Sequence, residues 1–240
     1  MTTKVTKGPR LGTRLRGVLA NFYEGRGKHK SVLCLVYSIK AKEDFVLRSY
    51  LEYLHFLYAE SDPLVRNISY TAERCKITVL GEDLVALLDA SVQLSNGRTQ
   101  WREVKSSNEV EQGVNNRAHL QKLIQEVASH QEGVDYARLT ENELCAQPHR
   151  LRNWNRIIPW IAQAREWPLV EEKGSVLHLM KQEGSISYGE LFQLLVSKYG
   201  SRFASLYIAG TFDLVSKGKI SSDLDVTRFT KKTRLWTAEQ

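Results

Sequence analysis

The sequence predicts an α/β protein built in two parts, and three observations support this prediction. The dipeptide Asn96-Gly97 separates two extended segments, and it is a strong hairpin signal because both residues tolerate positive φ. A strand, a helix and a strand then follow one another over residues 100–105, 117–130 and 135–139. From Gly174 onward the pattern changes to short helices and a terminal hairpin. The expected division is an α/β domain (1–145), a connector (146–168) and a C-terminal domain (169–240).

Runs of apolar and β-branched residues predict the strands of the first domain. They span residues 31–38, 67–70, 76–80, 84–89, 100–105 and 135–139. The run 84–88 is entirely apolar and predicts a buried strand that ends in Asp89. An acid in that position is unfavourable unless it has a partner or a metal. Asp89 is therefore a first candidate for a functional site.

A helix is predicted from Glu43 to Glu60. Apolar residues recur there at helical spacing and indicate one buried face, formed by Phe45, Leu51, Leu54 and Tyr58. The acids at the start of this segment suit the positive end of a helix dipole. Glu52 lies between apolar neighbours, and it is either a surface residue at the edge of the apolar stripe or part of a site.

The connector contains three prolines and three tryptophans. Prolines interrupt long helices, yet residues 150–165 predict a helix that packs its isoleucines inward. Three tryptophans are too many for a loose linker. We therefore expect this segment to dock on another part of the protein.

The C-terminal domain has helical patterns over residues 176–181, 188–199 and 203–217, with Gly184 closing the first. Extended segments are predicted at 185–188, 220–223, 225–229 and 233–237, and the last two flank the basic turn Lys231-Lys232. Three helices and a terminal hairpin are the layout of a winged helix-turn-helix.

Composition fits a partner rich in phosphate. The formal net charge is +7 and the pI is about 9.3. Lysines and arginines are concentrated in the first forty residues, and Glu24 is the single acidic residue there. Such clustering is an electrostatic footprint for nucleic acid, although a solvated basic tail would have the same composition.

Other classes of function have little support. The cysteines Cys34, Cys75 and Cys145 are far apart and lack metal-knuckle spacing, so a reduced cytosolic setting is expected. The N-terminus lacks the apolar stretch of a secretory signal, and the apolar runs are too short for a bilayer. No His-x-x-x-His pair or phosphate-cradling glycine loop is present, so neither zinc nor ATP is expected.

The predicted hairpin can bring charged residues together at one edge of the sheet. Side chains alternate along a strand, so Glu103 and Lys105 point to one face and Val104 to the other. Carboxylates of Asp89 and Glu103 would suit a hard cation such as Mg²⁺. A metal beside a lysine is an arrangement for hydrolysing phosphodiesters. A solvent-facing Glu/Lys pair on a charged hairpin is the other interpretation.

Four motifs in this order resemble the TnsA-type endonuclease subunit of heteromeric transposases, a group of restriction-endonuclease-like nucleases. The motifs are Ser49-Tyr50-Leu51-Glu52, Asp62-Pro63-Leu64-Val65, Asp89, and Glu103-Val104-Lys105. The resemblance covers residues 10–145 best, and it implies a restriction-endonuclease-like mixed sheet flanked by helices. Two departures are visible: Leu88 stands where the family usually has Pro, and Glu103 stands where some members have Gln.

The resemblance implies a role for each matching residue. Glu52 would lie near the metals, Asp89 would bridge them, and Glu103 would be the next ligand. Val104 would offer its backbone carbonyl, and Lys105 would orient the attacking water or stabilise the phosphate. The expected cofactor is Mg²⁺, as two ions, with Mn²⁺ able to substitute. Gln121 is a weaker candidate for a supporting contact.

The resemblance also implies partners and a reaction. The protein would nick the 5′ ends of a transposon in double-stranded DNA, beside a DDE-type transposase and an AAA+ ATPase that contacts its C-terminal domain, in the bacterial cytoplasm at the nucleoid. Expected DNA-binding residues are Arg14, Arg16, Arg26, Lys28, Lys231, Lys232 and Arg234. Two alternatives stay open: a catalytically inactive winged-helix regulator, and a stand-alone restriction or repair nuclease. The basic wing could equally dock a protein.

Overall fold

The computed structural model describes residues 32–71, 74–111 and 116–238. The predicted DNA-binding residues Arg14, Arg16, Arg26 and Lys28 lie outside the described residues. Within the described ranges the protein is a mixed α/β structure, as predicted.

The described strands are β1 (Cys34–Ser38), β2 (Glu43–Leu47), β3 (Val65–Ser69), β4 (Arg74–Val79), β5 (Glu82–Leu87), β6 (Ala90–Leu94), β7 (Thr99–Val104), β8 (Asp135–Leu139), β9 (Ser185–Ser187), β10 (Ile220–Ser222) and β11 (Arg234–Thr237). The described α-helices are α1 (Tyr50–Ser61), α2 (Ser107–Glu111), α3 (Asn116–Glu132), α4 (Glu141–Leu144), α5 (Pro148–Gln163), α6 (Val170–Glu183), α7 (Tyr188–Tyr199) and α8 (Ala204–Ser216). A 3₁₀ turn, Ser201–Phe203, precedes α8.

The central sheet has the strand order β3-β6-β7-β8. Strands β6 and β7 form the predicted hairpin, and Gly97 in its turn has φ +83°, a conformation that glycine adopts without a steric penalty. Strand β8 runs parallel to β7 after the crossover helix α3. The predicted strand-helix-strand order is therefore confirmed, and it places the ends of β7 and β8 side by side.

The predicted buried strand over residues 84–89 is wrong in its environment. Strand β5 pairs with β4 in a separate two-stranded hairpin, and it ends at Leu87, two residues before Asp89. Its side chains alternate, so Ala86 is buried under α3 whereas Val85 and Leu87 are about half exposed. Only one face of β5 therefore packs into the core. The all-apolar sequence of this segment does not indicate which face, because both faces carry apolar residues.

The helix predicted from Glu43 begins later, at Tyr50. Residues 43–47 instead form β2, which pairs antiparallel with β1. Phe45 and Leu47 are buried two residues apart, which is the period of a strand and not that of a helix. Ser49 has extended dihedral angles and accepts a hydrogen bond from the Glu52 N–H, which makes it the N-cap and ends the strand.

The connector forms helix α5, which begins at Pro148 and continues through Pro159. Proline is well tolerated in a first helical turn, and the predicted helix over residues 150–165 is confirmed. Trp154 and Ile157 are fully buried in one hydrophobic core that α5 shares with α1, β1 and the C-terminal helices. The expected docking of this segment is thus observed, with Trp167 left exposed.

The C-terminal part consists of α6, α7 and α8 packed on a three-stranded antiparallel sheet of order β10-β11-β9. Ser187 caps α7 through a reciprocal capping box with Glu190. The strand predicted over residues 225–229 is wrong, because Asn153 of α5 holds that segment as an irregular loop by hydrogen bonds to its backbone. Among the described helices, none has both the length and the apolar character that a bilayer crossing requires.

Glu60, near the end of α1, is a fully buried carboxylate that should make stability depend on pH. It accepts hydrogen bonds from the Ser38 hydroxyl at 2.5 Å and the Ile39 N–H at 3.1 Å. Burial raises its pKa to about 7, and these bonds and the charge of Lys40 only partly offset that effect. The folded protein then holds a proton that the unfolded chain has released, so this stabilisation is complete below the unfolded pKa near 4.5 and is lost as pH rises through 7.

Glu60→Gln removes the titrating proton and keeps groups that can bond Ser38 and Ile39. We expect its free energy of unfolding, measured by urea denaturation, to change less than that of the wild type between pH 4.5 and 7, by roughly 1–3 kcal/mol. Glu82→Gln on the exposed end of β5 is the matched control and should follow the wild type. Parallel curves for the wild type and Glu60→Gln would contradict this prediction.

Candidate active site

The ends of β7 and β8 and the start of β6 bring three of the predicted residues together. Glu103 and Lys105 lie on one face of β7, with 3.8 Å between Lys105 Nζ and Glu103 Oε1. Val104 lies between them and is buried in the core on the opposite face. The alternation predicted from the sequence is therefore confirmed, and Lys105 remains partly open to solvent.

Asp89 occupies the two-residue junction between β5 and β6. Its Oδ2 accepts a hydrogen bond of 2.8 Å from the Val104 N–H, which ties it to the strand that carries Glu103 and Lys105. Burial raises the pKa of Asp89, the bond from Val104 and the charge of Lys105 lower it, and the charges of Glu52 and Glu103 raise it further. The surroundings of Asp89 therefore disfavour its ionised form, and such a shifted pKa is typical of functional sites.

Glu103 is fully buried and has partners that the sequence reasoning missed. Its Oε2 accepts hydrogen bonds from Arg138 Nε at 2.5 Å and from the Tyr136 hydroxyl at 2.9 Å. Its Oε1 is buried without a hydrogen-bond partner among the described residues. The Lys105 ammonium forms an ion pair with this oxygen at 3.8 Å. Half of this carboxylate is thus fixed, and the other half is left for an additional donor or cation.

The partners on β8 follow from the parallel register, in which Glu103 is opposite Arg138 and Trp101 is opposite Tyr136. Tyr136 and Arg138 are two residues apart and so share a face of β8. That spacing was the only available signal in the sequence, and it indicates nothing until β8 is aligned with β7. A crossover through α3 sets this alignment, which local sequence patterns do not encode.

Helix α3 supports the junction that carries Asp89. Gln125 is fully buried, and its Nε2 donates a hydrogen bond of 2.7 Å to the Leu87 carbonyl, two residues before Asp89. Its Oε1 lies 3.0 Å from the Tyr136 hydroxyl. Gln121, the weaker candidate from the sequence, makes only a long contact of 3.5 Å to the same carbonyl. Gln125, one turn later, is the better-placed supporting residue.

Glu52 is near this cluster but is engaged locally. Its carboxylate accepts hydrogen bonds from the Arg48 N–H at 2.8 Å and from the Ser49 hydroxyl at 3.1 Å. Together with the bond from the Glu52 N–H to the Ser49 hydroxyl, these contacts cap the start of α1, with the Arg48 N–H as the backbone donor to Glu52 where a capping box would use the Ser49 N–H. The Ser-x-x-Glu motif therefore has a structural role at the start of α1, and the charge of Glu52 acts on Asp89 through space.

The site offers oxygen donors in a number suited to a small cation. Among the described residues, no group of three or more His, Cys, Asp or Glu side chains is arranged to hold a metal. Two carboxylates, Asp89 and Glu103, are present, and the second has an unpartnered buried oxygen. Hard cations such as Mg²⁺ accept carboxylate and carbonyl oxygens and keep several waters, so few protein ligands suffice. The donor set at this site fits such an ion.

The predicted basic wing lies in the connection between β10 and β11 and at the start of β11. Lys231 and Lys232 are exposed in the turn before β11, and Arg234 is exposed and donates to the Ser185 hydroxyl at 3.0 Å. The backbone carbonyl of Lys231 accepts the Gly189 N–H at 2.8 Å, which fixes the turn against the start of α7. The charged groups of Lys231 and Lys232 are thus presented to solvent from an ordered turn.

No protein-family model matches this chain, and no curated protein is significantly similar to it. The chemistry of the site is therefore inferred from the residues that it brings together. Those residues are Asp89, whose pKa is raised by burial, Glu103, whose buried carboxylate has one oxygen without a hydrogen bond, and the partly exposed Lys105. All three lie at one edge of the central sheet.

Proposed function

We propose that this protein is a Mg²⁺-dependent DNA endonuclease that acts as the TnsA-type subunit of a heteromeric transposase. In this role it nicks the 5′ ends of the transposon by hydrolysis, beside a DDE-type transposase and an AAA+ ATPase. The observation that carries the proposal is the convergence of Asp89, Glu103 and Lys105 at the ends of neighbouring strands. Their order in the sequence matches the family motifs, and their geometry suits the same chemistry.

The arrangement of the elements supports a restriction-endonuclease-like core followed by a winged-helix domain. A helix, an antiparallel hairpin, a crossover helix and a parallel strand, here α1, β6-β7, α3 and β8, fit a restriction-endonuclease-like core. The C-terminal order α6-β9-α7-α8-β10-β11 fits a winged helix. The proposed domains are residues 1–145 and 169–240, with the connector 146–168 packed into the core that both share.

Each residue then has a task that its contacts favour. Arg138 and Tyr136 orient Glu103, and the Val104 N–H orients Asp89. Lys105, beside Glu103 and partly exposed, offsets the negative charge that develops on the phosphate. Asp89, Glu103 and the Val104 carbonyl would hold the metal, which when bound would supply further stabilisation of that charge and activation of water.

One observation favours a second candidate function. A carboxylate that is paired with an arginine and a tyrosine, as Glu103 is, can be stable without any metal. The protein would then be a DNA-binding regulator with an inactive nuclease-like core. The two candidates differ in whether Glu103 serves chemistry or only the fold.

Strand-resolved cleavage separates these functions. A duplex that contains the end of the transposon is labelled on each strand in turn and incubated with the protein and Mg²⁺ or Mn²⁺, with and without the transposase. A nick confined to the 5′ end and dependent on the transposase supports the proposal. Cutting of unrelated duplexes without a partner indicates a stand-alone nuclease, and binding without any cutting indicates the regulator.

A further inference from the structure

Three arginines surround a cleft where helix α5 meets the loop before β11. Arg152 and Arg156 lie one turn apart on α5, and Arg228 projects from the loop. All three are exposed, and the cleft has a volume of about 490 Å³. None of them belongs to the candidate active site or to the basic residues that the sequence had suggested.

These arginines have no counter-ion within the part of the chain that the structure describes. Among the residues that the structure describes, none of the three forms an ion pair, whereas Arg98, Arg138, Arg150 and Arg165 all do. The acid nearest in sequence to Arg228, Asp225, lies 3.7 Å from Arg150 and is therefore committed elsewhere. Like charges around one cleft repel one another, and an anion bound between them would relieve that repulsion.

The cleft is held in a fixed shape. The fully buried side chain of Asn153 donates to the Leu224 and Thr227 carbonyls, each at 2.7 Å, and accepts from the Phe229 N–H at 2.9 Å. These bonds use both donors and one acceptor position of the amide, and they hold the backbone on both sides of Arg228. The Arg156 guanidinium lies 5.9 Å from the centre of the buried Phe229 ring. The backbone that carries Arg228 and the guanidinium of Arg156 are thus positioned before any ligand binds.

The cleft adjoins the helix that begins beside the candidate active site. Asn155, which also lines the cleft, accepts a hydrogen bond from the Tyr53 hydroxyl of α1. Tyr53 directly follows Glu52 in that helix. On its other side the cleft leads through Thr230 to the exposed Lys231 and Lys232. The basic cleft therefore continues to the wing turn on one side and contacts the first turns of α1 through neutral residues on the other.

We propose that this arginine cleft binds the phosphodiester backbone of the duplex that is cut at the candidate active site. Arginine presents a planar fork of donors that matches phosphate oxygens, and asparagine and threonine are also frequent phosphate contacts. An acidic protein partner is less well suited, because Phe229, the aromatic residue in the lining of the cleft, is buried and offers little of the exposed apolar anchor that protein interfaces use. The inference rests on the proposed nuclease function for the identity of the duplex.

The test is equilibrium binding of a labelled duplex without divalent metal, measured by fluorescence anisotropy as a function of salt. The triple variant Arg152→Gln/Arg156→Gln/Arg228→Gln should bind at least about tenfold more weakly, and the slope of log K against log [salt] should fall by about 2 to 3. The control Lys181→Gln/Lys198→Gln/Lys219→Gln removes the same charge from exposed lysines that lie outside the cleft and form no ion pair with another described residue. Equal losses in both triple variants would overturn the inference.

Two further measurements keep the outcomes distinct. The triple Arg→Lys variant retains charge, so it should keep the salt slope while losing part of the affinity; if it binds no better than the Gln variant, misfolding rather than phosphate contact is responsible and the inference fails. Cleavage by the wild type is scored separately. Weaker binding by the Gln variant with no wild-type cleavage leaves the cleft standing and removes the nuclease function. If the Gln variant binds the duplex as well as the wild type does while the wild type cleaves DNA, the cleft inference fails and the nuclease function stands. The same conclusion holds if the Gln variant loses only the binding of a protein partner.

Discussion

Asp89→Asn is expected to lower the rate of strand cleavage by at least about a thousandfold, with little change in duplex binding. The substitution removes the negative charge that would hold a cation and keeps the shape of the side chain. An amide oxygen can still accept the hydrogen bond from the Val104 N–H, so the junction between β5 and β6 should stay in place. The measurement is a single-turnover nicking assay on the duplex used for binding.

The stability of the same variant should move in the opposite direction. Because burial raises the pKa of Asp89, the contribution of this group to stability is complete below its ordinary pKa and is lost as pH rises through the raised pKa. At neutral pH the ionised side chain is therefore unfavourable, and neutral Asn should leave the free energy of unfolding equal or slightly higher. A residue that weakens the fold while enabling a reaction is the expected signature of an active site.

Asp83→Asn is the matched control for this experiment. Asp83 is also an aspartate of the β4–β5 region, but it is exposed and pairs with Lys76 on the hairpin surface. Its substitution should change neither cleavage nor stability appreciably. If Asp89→Asn cuts as fast as Asp83→Asn, the carboxylate of Asp89 has no part in the chemistry, and the regulator interpretation gains.

The elements that the sequence predicted well are those with local chemical signals. Asn96-Gly97 marks the central hairpin, Gly184 ends α6 with φ +67°, and the Ser187–Glu190 capping box begins α7. Each of these signals acts within a few residues, so no tertiary information is needed to interpret it. The helix α3 and the strands on either side of it have long and clear periodicities, and they too lie where the sequence indicated.

The errors arose where tertiary pairing decides between two local possibilities. Residues 43–47 suit either a helix or a strand, and pairing with β1 selects the strand. The apolar run 84–88 suits a central strand, yet β5 packs only one face, under α3. In the site, alternation was sufficient to place Glu103 beside Lys105. The contacts of Glu103 with β8 depend on a register set across the crossover, which no local pattern reveals.

Arg138→Met is expected to lower the free energy of unfolding by about 3 kcal/mol, because the fully buried Glu103 carboxylate loses its hydrogen-bonded arginine and keeps only the longer ion pair with Lys105, at 3.8 Å. Urea denaturation provides the measurement. Arg98→Met is the matched control: Arg98 also pairs with an acid of β8, Asp135, but both side chains are well exposed, so the expected loss is under about 1 kcal/mol. Equal losses in the two variants would show that burial does not strengthen the dependence of Glu103 on Arg138.

The double variant Glu103→Gln/Arg138→Met then separates structure from chemistry. With a neutral side chain at position 103, no charge is stranded, so stability should recover by roughly 1–3 kcal/mol relative to Arg138→Met alone. If Glu103 serves only the fold, cleavage should recover with stability. If it holds the cation, cleavage should stay lost in a protein that is again well folded, because the Gln side chain can satisfy Tyr136 but cannot supply the negative charge. Recovered stability without recovered cleavage would therefore assign Glu103 to the reaction, with Arg138 as its positioning residue.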